Sequence, residues 1–410
     1  MDPLPSLSAR LRAAVDRGRL LDTATKLIAV PSRTGAAGAA ADRLAQLLAA
    51  DGFAVERHAA GHAAAPAVAV RLASGASGRT LQFDGHLDTV HLPFVPPAVE
   101  GDRLTGSGAS DMKGGTAAAV EALRVLRDTG ALAGGAVLLT AHDLHEAPWG
   151  FGQQLDRLIA DGLHGDAVLI PEYLNHCLPV VGRGNAVWKL RLARAGPPVH
   201  EVLRPRDQCD VIAAGADVIG SLKKLDARLA RKADPQAGPE SCFVGQVHSG
   251  EIYNQFPQEC RIEGTMRWLP GTSRDKMQVA LRKAVDRAMA GHVLGIVHLD
   301  FQLIRGAFRL DPKAPIVTAF QKAYKAIQGK RLKLGAKPFV DDGNSFWALG
   351  QVPAITHGPL AGGPHTTNEW VSIDDMVRVA HLYALTAALY CQPAKRKPSL
   401  ALQAGKEILS

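Results

Sequence analysis

A chain of 410 residues, 47% hydrophobic and 21% charged, has the composition of a soluble globular protein and length enough for two domains, with no need of disulfide staples. Its net charge of +8 is spread along the chain without aromatic interleaving, which argues against a nucleic-acid footprint and predicts attraction for small anions. No apolar run approaches the ~20 residues of a membrane span, no apolar core of signal-peptide length opens the chain, and the five cysteines form no CxxC pair, which together predict a cytoplasmic protein without a membrane partner or a thiolate zinc site.

In chain order, residues 8–30 read as helix and 38–51 as a second, amphipathic helix. Short apolar runs follow at 67–72, 80–86, 136–142 and 166–172, with helices expected at 113–128 and 153–162. Strands alternating with helices predict an α/β sheet with helices on its faces. From about residue 183 the pattern changes. A strand around WKLRLARA, a helix at 207–230, strands at 240–249 and 258–268, a helix at 273–290 and a strand at 295–303 give the order β-α-β-β-α-β of ferredoxin-like domains. Helix, strand and helix then resume at 313–328, 352–356 and 373–391. The middle piece, 183–303, reads as a domain inserted into one built from 1–182 and 304–410. The densest basic cluster, AKRKP at 394–398, is expected to be a solvated tail.

Several segments carry chemistry. In FDGHLDTV (83–90), His86 and Asp88 project to one face at a strand end, where the carboxylate suits the orienting of a ligand histidine, although an H-x-D triplet alone fits a structural histidine as well. GSGASDMKGG (106–115) lacks the third glycine of a dinucleotide loop, and no GK[ST] follows it. Its glycines instead shape a turn that aims Asp111, unless Asp111 caps the helix beginning near Lys113. AHDLHEAPWG (141–150) is no HExxH helix, because Trp149 takes the second histidine position and Pro148 breaks the helix. It leaves a strand-end cluster of His142, Asp143, His145 and Glu146, either a metal site or a polar loop. Glu172 ends the run AVLIPE, and His365 lies in the Gly- and Pro-rich GPLAGGPHTTNEW (358–370). Functional groups in α/β folds gather at carboxyl ends of strands. Imidazole with carboxylate and no thiolate suits a hydrolytic zinc site, with manganese or cobalt as substitutes.

Taken together, HLDTV, GSGASDMKGG, the Glu146 segment, the IPE of Glu172 and GGPHTTNE resemble, in order and spacing over about residues 20–390, the dizinc deacylases and exopeptidases. That family includes acetylornithine deacetylase, succinyl-diaminopimelate desuccinylase, aminoacylases and bacterial glutamate carboxypeptidase. The resemblance implies a zinc-exopeptidase-like catalytic domain, a mixed sheet with helices on both faces, carrying an inserted ferredoxin-like α+β lid and dimerisation domain. It implies two divalent ions, bridged by Asp111 at a separation of about 3.5 Å. His86 and Glu172 would complete one ion and Glu146 and His365 the other, with Asp88 behind His86 and a bridging water attacking the substrate carbonyl. It also places His200, in AGPPVHEVLRP, as an oxyanion-stabilising residue that reaches the partner subunit's site in a homodimer. Asn254 and Arg267, in NQFPQECRIEGTMRW, would bind the substrate, the arginine through a carboxylate. PFVDDGNSFWALG (338–350) is expected to line the pocket.

One position departs from the family pattern. Where the family has two adjacent glutamates, a general base and a metal ligand, this chain reads His145–Glu146. Three readings follow. His145 acts as the base, its neutral form favoured beside two cations. The register shifts so that Asp143 supplies the carboxylate. Or hydrolysis is lost, leaving a non-hydrolytic or altered-chemistry relative on a kept metal site. The first predicts a metal-dependent amidohydrolase acting on an N-acyl amino acid or small peptide with a free carboxylate, with a carboxypeptidase or dipeptidase as the alternative.

Overall fold

The computed structural model describes residues 3–393, so the basic cluster at 394–398 lies outside the described residues. The apolar runs of the first half form a six-stranded mixed sheet in the spatial order 55–58, 67–73, 136–142, 80–86, 167–170, 354–356. The four strands from Ala136–His142 to Ala354–Thr356 run parallel, and Val55–His58 and Ala67–Ala73 add an antiparallel edge. Strands Thr80–His86 and Ala136–His142 are buried almost throughout, which is why the second is a near-continuous apolar run, while the first buries Gln82, Asp84 and His86 among its apolar residues. Side chains alternate between two layers. Ala167 and Leu169 join the core under helices Gly114–Thr129 and Ile373–Tyr390, while Val168 and Ile170 pack with Leu155 and Phe346 of helices Gln153–Ala160 and Asp342–Gly350 on the other face.

The second sheet has its own core. Strands Gly184–Ala193, Ser241–Ser249, Glu259–Trp268 and Ile296–Arg305 lie in the spatial order 241–249, 259–268, 184–193, 296–305, all antiparallel. Helices Val211–Leu229 and Arg274–Met289 cover one face around Trp188, Leu190, Val218, Ile262 and Leu281. This is the ferredoxin-like order, inserted into the α/β domain. The chain crosses between the two where Leu178–Gly182 pairs with Phe308–Arg309 and Leu334–Lys337.

The sequence expectation missed the short strands Leu178–Gly182, Phe308–Arg309 and Leu334–Lys337 and the helix Asp342–Gly350, and it differs in two further places. The segment expected as one helix over 8–30 is two, Leu4–Ala14 and Arg17–Ile28, because Asp16 leaves helical geometry and caps the second through the Arg19 N–H. The apolar spacing runs through the break, so periodicity does not reveal it. The edge strand Val55–His58 (VERH) is half-exposed and almost without apolar residues, which hides it in the same way. Among the described residues no helix is long and apolar enough to cross a membrane, and the five cysteines are all free.

Candidate metal centre

Strands Thr80–His86 and Ala136–His142 are in parallel register with His86 opposite His142, so both chains leave the sheet at the same carboxyl rim. His86 is fully buried. Its Nδ1 lies 3.0 Å from the carbonyl oxygen of Asp88 and donates there, which turns Nε2 toward Asp111 Oδ1 at 3.0 Å and Glu172 Oε1 at 3.6 Å. The Asp88 carboxylate ties two loops together, because its Oδ2 accepts the backbone N–H groups of His145 and Glu146, each at 3.0 Å. Its Oδ1 stands 3.6 Å from His86 Nδ1.

Asp111 does not cap the following helix, which has no side-chain cap. Its loop is held by Glu369, whose carboxylate accepts the N–H groups of Gly108, Ser110 and Asp111 and the Ser110 hydroxyl at 3.0–3.2 Å. Gly108 sits at φ +81°, and at Gly115 a Cβ would lie 1.8 Å from the Pro171 carbonyl oxygen. Only glycine lets the helix meet the 167–172 segment so closely, and that approach sets Glu172 beside Asp111.

His365 comes from the loop before the last helix and holds φ +59°, a left-handed conformation that costs a non-glycine residue energy and marks a functional constraint. Its Nε2 lies 3.3 Å from Asp111 Oδ2 and 3.2 Å from Glu146 Oε2. One Asp111 oxygen therefore faces His86 and the other faces His365. Asp111, Glu146, Glu172 and Glu369 crowd more negative charge into this rim than the neighbouring cations offset. Burial, then the charge of Asp111, pushes the carboxyls of Glu172 and Glu369 up to about 7 each. Glu172 Oε2 is buried with no hydrogen-bond partner. A donor set of imidazoles and surplus carboxylates with an orphaned oxygen fits divalent cations.

His145 stacks on His86 with ring centroids 4.0 Å apart and planes 8° from parallel, and its Nδ1 lies 2.8 Å from Asp342 Oδ1. Burial works against its charged form, but the Asp342 carboxylate outweighs that and raises the imidazole above its ordinary value. Asp143 faces elsewhere. Its carboxylate accepts the N–H groups of Gly35, Ala37 and Leu144 and meets His62 at 3.1 Å, so it is committed to a neighbouring loop.

The residues of the inserted domain are not gathered into this rim. His200 and Asn254 meet each other at 3.2 Å beside the pairing of Val199–His200 with Gln255–Phe256, where His200 is exposed and Phe256 is buried. Arg267 is half-buried at the end of its strand, in register with Asn185 and beside Arg183. Desolvation, then Arg183, lowers its guanidinium. His142, read from sequence as part of the strand-end cluster, belongs instead to a buried group behind the rim whose Asp84 and Arg305 sequence reasoning gave no role. His142 Nε2 lies 3.4 Å from Asp84 Oδ2 and 3.3 Å from Asp342 Oδ2, and Arg305 Nη2 lies 3.2 Å from Asp342 Oδ1. The available signal was Asp84 itself, a carboxylate inside the apolar run TLQFDGH, together with the VDDG that opens a short helix.

Comparison with known proteins points the same way. A family model described as peptidase family M20/M25/M40 matches residues 83–389. The chain is 30% identical over 402 residues to a succinyl-diaminopimelate desuccinylase of a Methylobacterium species, covering 92% of this chain and 98% of the relative. It is 28% identical to the protein of that name from Halorhodospira halophila, over 88% and 96% of the two chains. Among solved structures it resembles aminopeptidase PepT from Bacillus cereus, with a TM-score of 0.75 at 19% identity, over 92% of this chain and 99% of that one.

Proposed function

Because the chain belongs to peptidase family M20/M25/M40, whose members are metal-dependent hydrolases of amide and peptide bonds, we propose that it cleaves the amide bond of an N-acyl amino acid, or of a small peptide, bearing a free carboxylate. One observation carries the proposal: Asp111 turns Oδ1 to His86 and Oδ2 to His365, the disposition of a carboxylate shared by two ions. His86, Asp111 and Glu172 would hold one divalent ion, and Asp111, Glu146 and His365 the second, zinc before cobalt or manganese. Bound there, the ions supply Lewis acidity toward the scissile carbonyl and toward water.

The remaining steps fall to side chains. His145 takes up the proton that water loses on adding to the carbonyl carbon. It returns that proton to the amine nitrogen as the C–N bond breaks, leaving a carboxylic acid and a free amine, between which the remaining proton passes to give carboxylate and ammonium. Asp342 favours a charged His145, while the charge of two ions at the rim pulls it back toward the neutral, accepting form. Asp88 keeps His86 and the 145–146 loop in register. Arg267 and Asn254 take the substrate's carboxylate side, and His200 serves the oxyanion from across a homodimer formed by the inserted domains. The exposed edge strand Ser241–Ser249, with Phe243 63% exposed, supports such a dimer. The five free thiols suit a cytoplasmic enzyme.

Metal analysis combined with a panel of N-succinyl, N-acetyl and N-formyl amino acids and dipeptides tests the proposal. Two bound ions with turnover of an N-acyl amino acid support it, and turnover of dipeptides alone makes the enzyme a peptidase. A second reading, altered chemistry on the same centre, is favoured by one observation, His145 in the base position. Two bound ions with no hydrolysis across the panel would establish it.

A further inference from the structure

A glutamate base presents two equivalent oxygens and needs no tautomer. An imidazole in the same position has two neutral forms, and only one leaves a given nitrogen free to accept a proton. His145 faces this choice while stacked flat on His86, with a ring nitrogen within 4.8 Å of ligand atoms of both His86 and Glu172. Its Nδ1 is met at 2.8 Å by Asp342 Oδ1, from a carboxylate that is fully buried.

Asp342 is itself held from several sides. It lies in the first turn of helix Asp342–Gly350, where Asp341 is the N-cap and accepts the Gly343 N–H. Arg305, from the last strand of the inserted sheet, reaches Oδ1 at 3.2 Å. His142 stands 3.3 Å from Oδ2 and is backed by Asp84, which accepts the Thr140 hydroxyl, and Gln82 donates to that hydroxyl at 2.6 Å. Two aspartates are matched by one arginine and one histidine, so the group balances its own charge and fixes Asp342 as an anion aimed at Nδ1.

We infer that Asp342 is the positioning residue of the base: its carboxylate holds the proton of His145 on Nδ1 and so leaves Nε2 as the accepting atom. The inference rests on His145 as the base and adds the group that makes an imidazole workable where the family uses glutamate. Arg305 extends the chain of contacts into the inserted domain, so the strand that carries the lid also steadies the base.

The test reads the tautomer directly. In zinc-loaded, ¹⁵N-histidine-labelled protein, with the His145 signals identified by their loss in His145→Gln, the expected spectrum shows Nδ1 protonated and Nε2 bare. Nε2 protonated and Nδ1 bare overturns the inference, and this measurement requires no change at Asp342. Kinetics give the second readout, on the N-acyl amino acid turned over fastest in the panel. Asp342→Asn, which offers His145 an amide donor, should lower kcat on the order of 10²-fold with KM little changed. In a His145→Glu background the same substitution should cost little, because glutamate has no tautomer to set. An equal loss in both backgrounds makes Asp342 a structural residue and overturns the inference. The underlying assignment fails differently, through unchanged turnover in His145→Gln.

Discussion

Two groups of buried polar side chains share the carboxyl end of the six-stranded sheet, and their charges close in different ways. At the rim, Asp111, Glu146 and Glu172 face His86 and His365, and the carboxyl of Glu172 is driven up to about 7 by burial and by Asp111. One layer behind, Asp84 and Asp342 face His142 and Arg305, and the pairing holds the His142 imidazole well above its ordinary value and Asp342 well below. The rim carries unmatched negative charge and so needs cations from solution. The inner group pairs its two carboxylates with an arginine and a histidine, although Asp342 Oδ2 itself accepts no hydrogen bond. His145 stands where they touch, stacked on a rim histidine and hydrogen-bonded to an inner aspartate.

Substitutions in each group should therefore fail in different currencies. Asp111→Asn should empty the rim of metal and lower kcat/KM by at least about 10³-fold, since Lewis-acid stabilisation is worth several kcal/mol. Metal analysis and kinetics on the same preparation check this, and full metal content in that variant would break the comparison. Asp84→Asn removes one partner of a buried pair and should cost about 3–5 kcal/mol in denaturant unfolding, with metal content per folded molecule unchanged. Lost metal in that variant would merge the two groups into one.

Chelation should act on the rim alone. A metal-loaded protein at an ion concentration about 100 times Kd gains about 2.7 kcal/mol for each ion, which a chelator withdraws. Differential scanning with and without chelator measures this in wild type and in Asp84→Asn. A much smaller effect in the variant would contradict the separation.

A histidine in neither group supplies the smallest effect. His357 is buried against Phe320 and Tyr324 with both ring nitrogens unpaired, and burial pushes it down to about 3. Its folded value lies below its unfolded one, so the unfolded chain binds the extra proton. Its contribution is then intact above about pH 6.5 and is lost as pH falls toward the folded value. His357→Phe should gain on wild type as pH falls, by up to about 2 kcal/mol at pH 5 relative to pH 8. A gain that does not change with pH would show that packing alone sets the difference.

Much of this architecture was legible in the chain. Buried parallel strands favour apolar residues, so Thr80–His86 and Ala136–His142 fall where the pattern puts them, with histidines at their ends. The βαββαβ order of the inserted domain was legible for the same reason, since its helices and strands differ in period. The inner group was not. His145 and Asp342 are 197 residues apart, and Arg305 arrives from the other domain, so no local pattern joins them. The dipeptide Asp341–Asp342 looks like a helix cap. One aspartate is the cap, while the other meets His145. His200 and Asn254 read as active-site residues from their motifs, yet within one chain they contact each other and not the rim.

The central claim is that the rim holds the ions while His145 moves the proton, and His145→Ala measured for metal content and kcat on one sample tests it most directly. Two ions per chain retained, with kcat lowered by ~10²–10⁴-fold, is the predicted result. Unchanged turnover with both ions in place would contradict it.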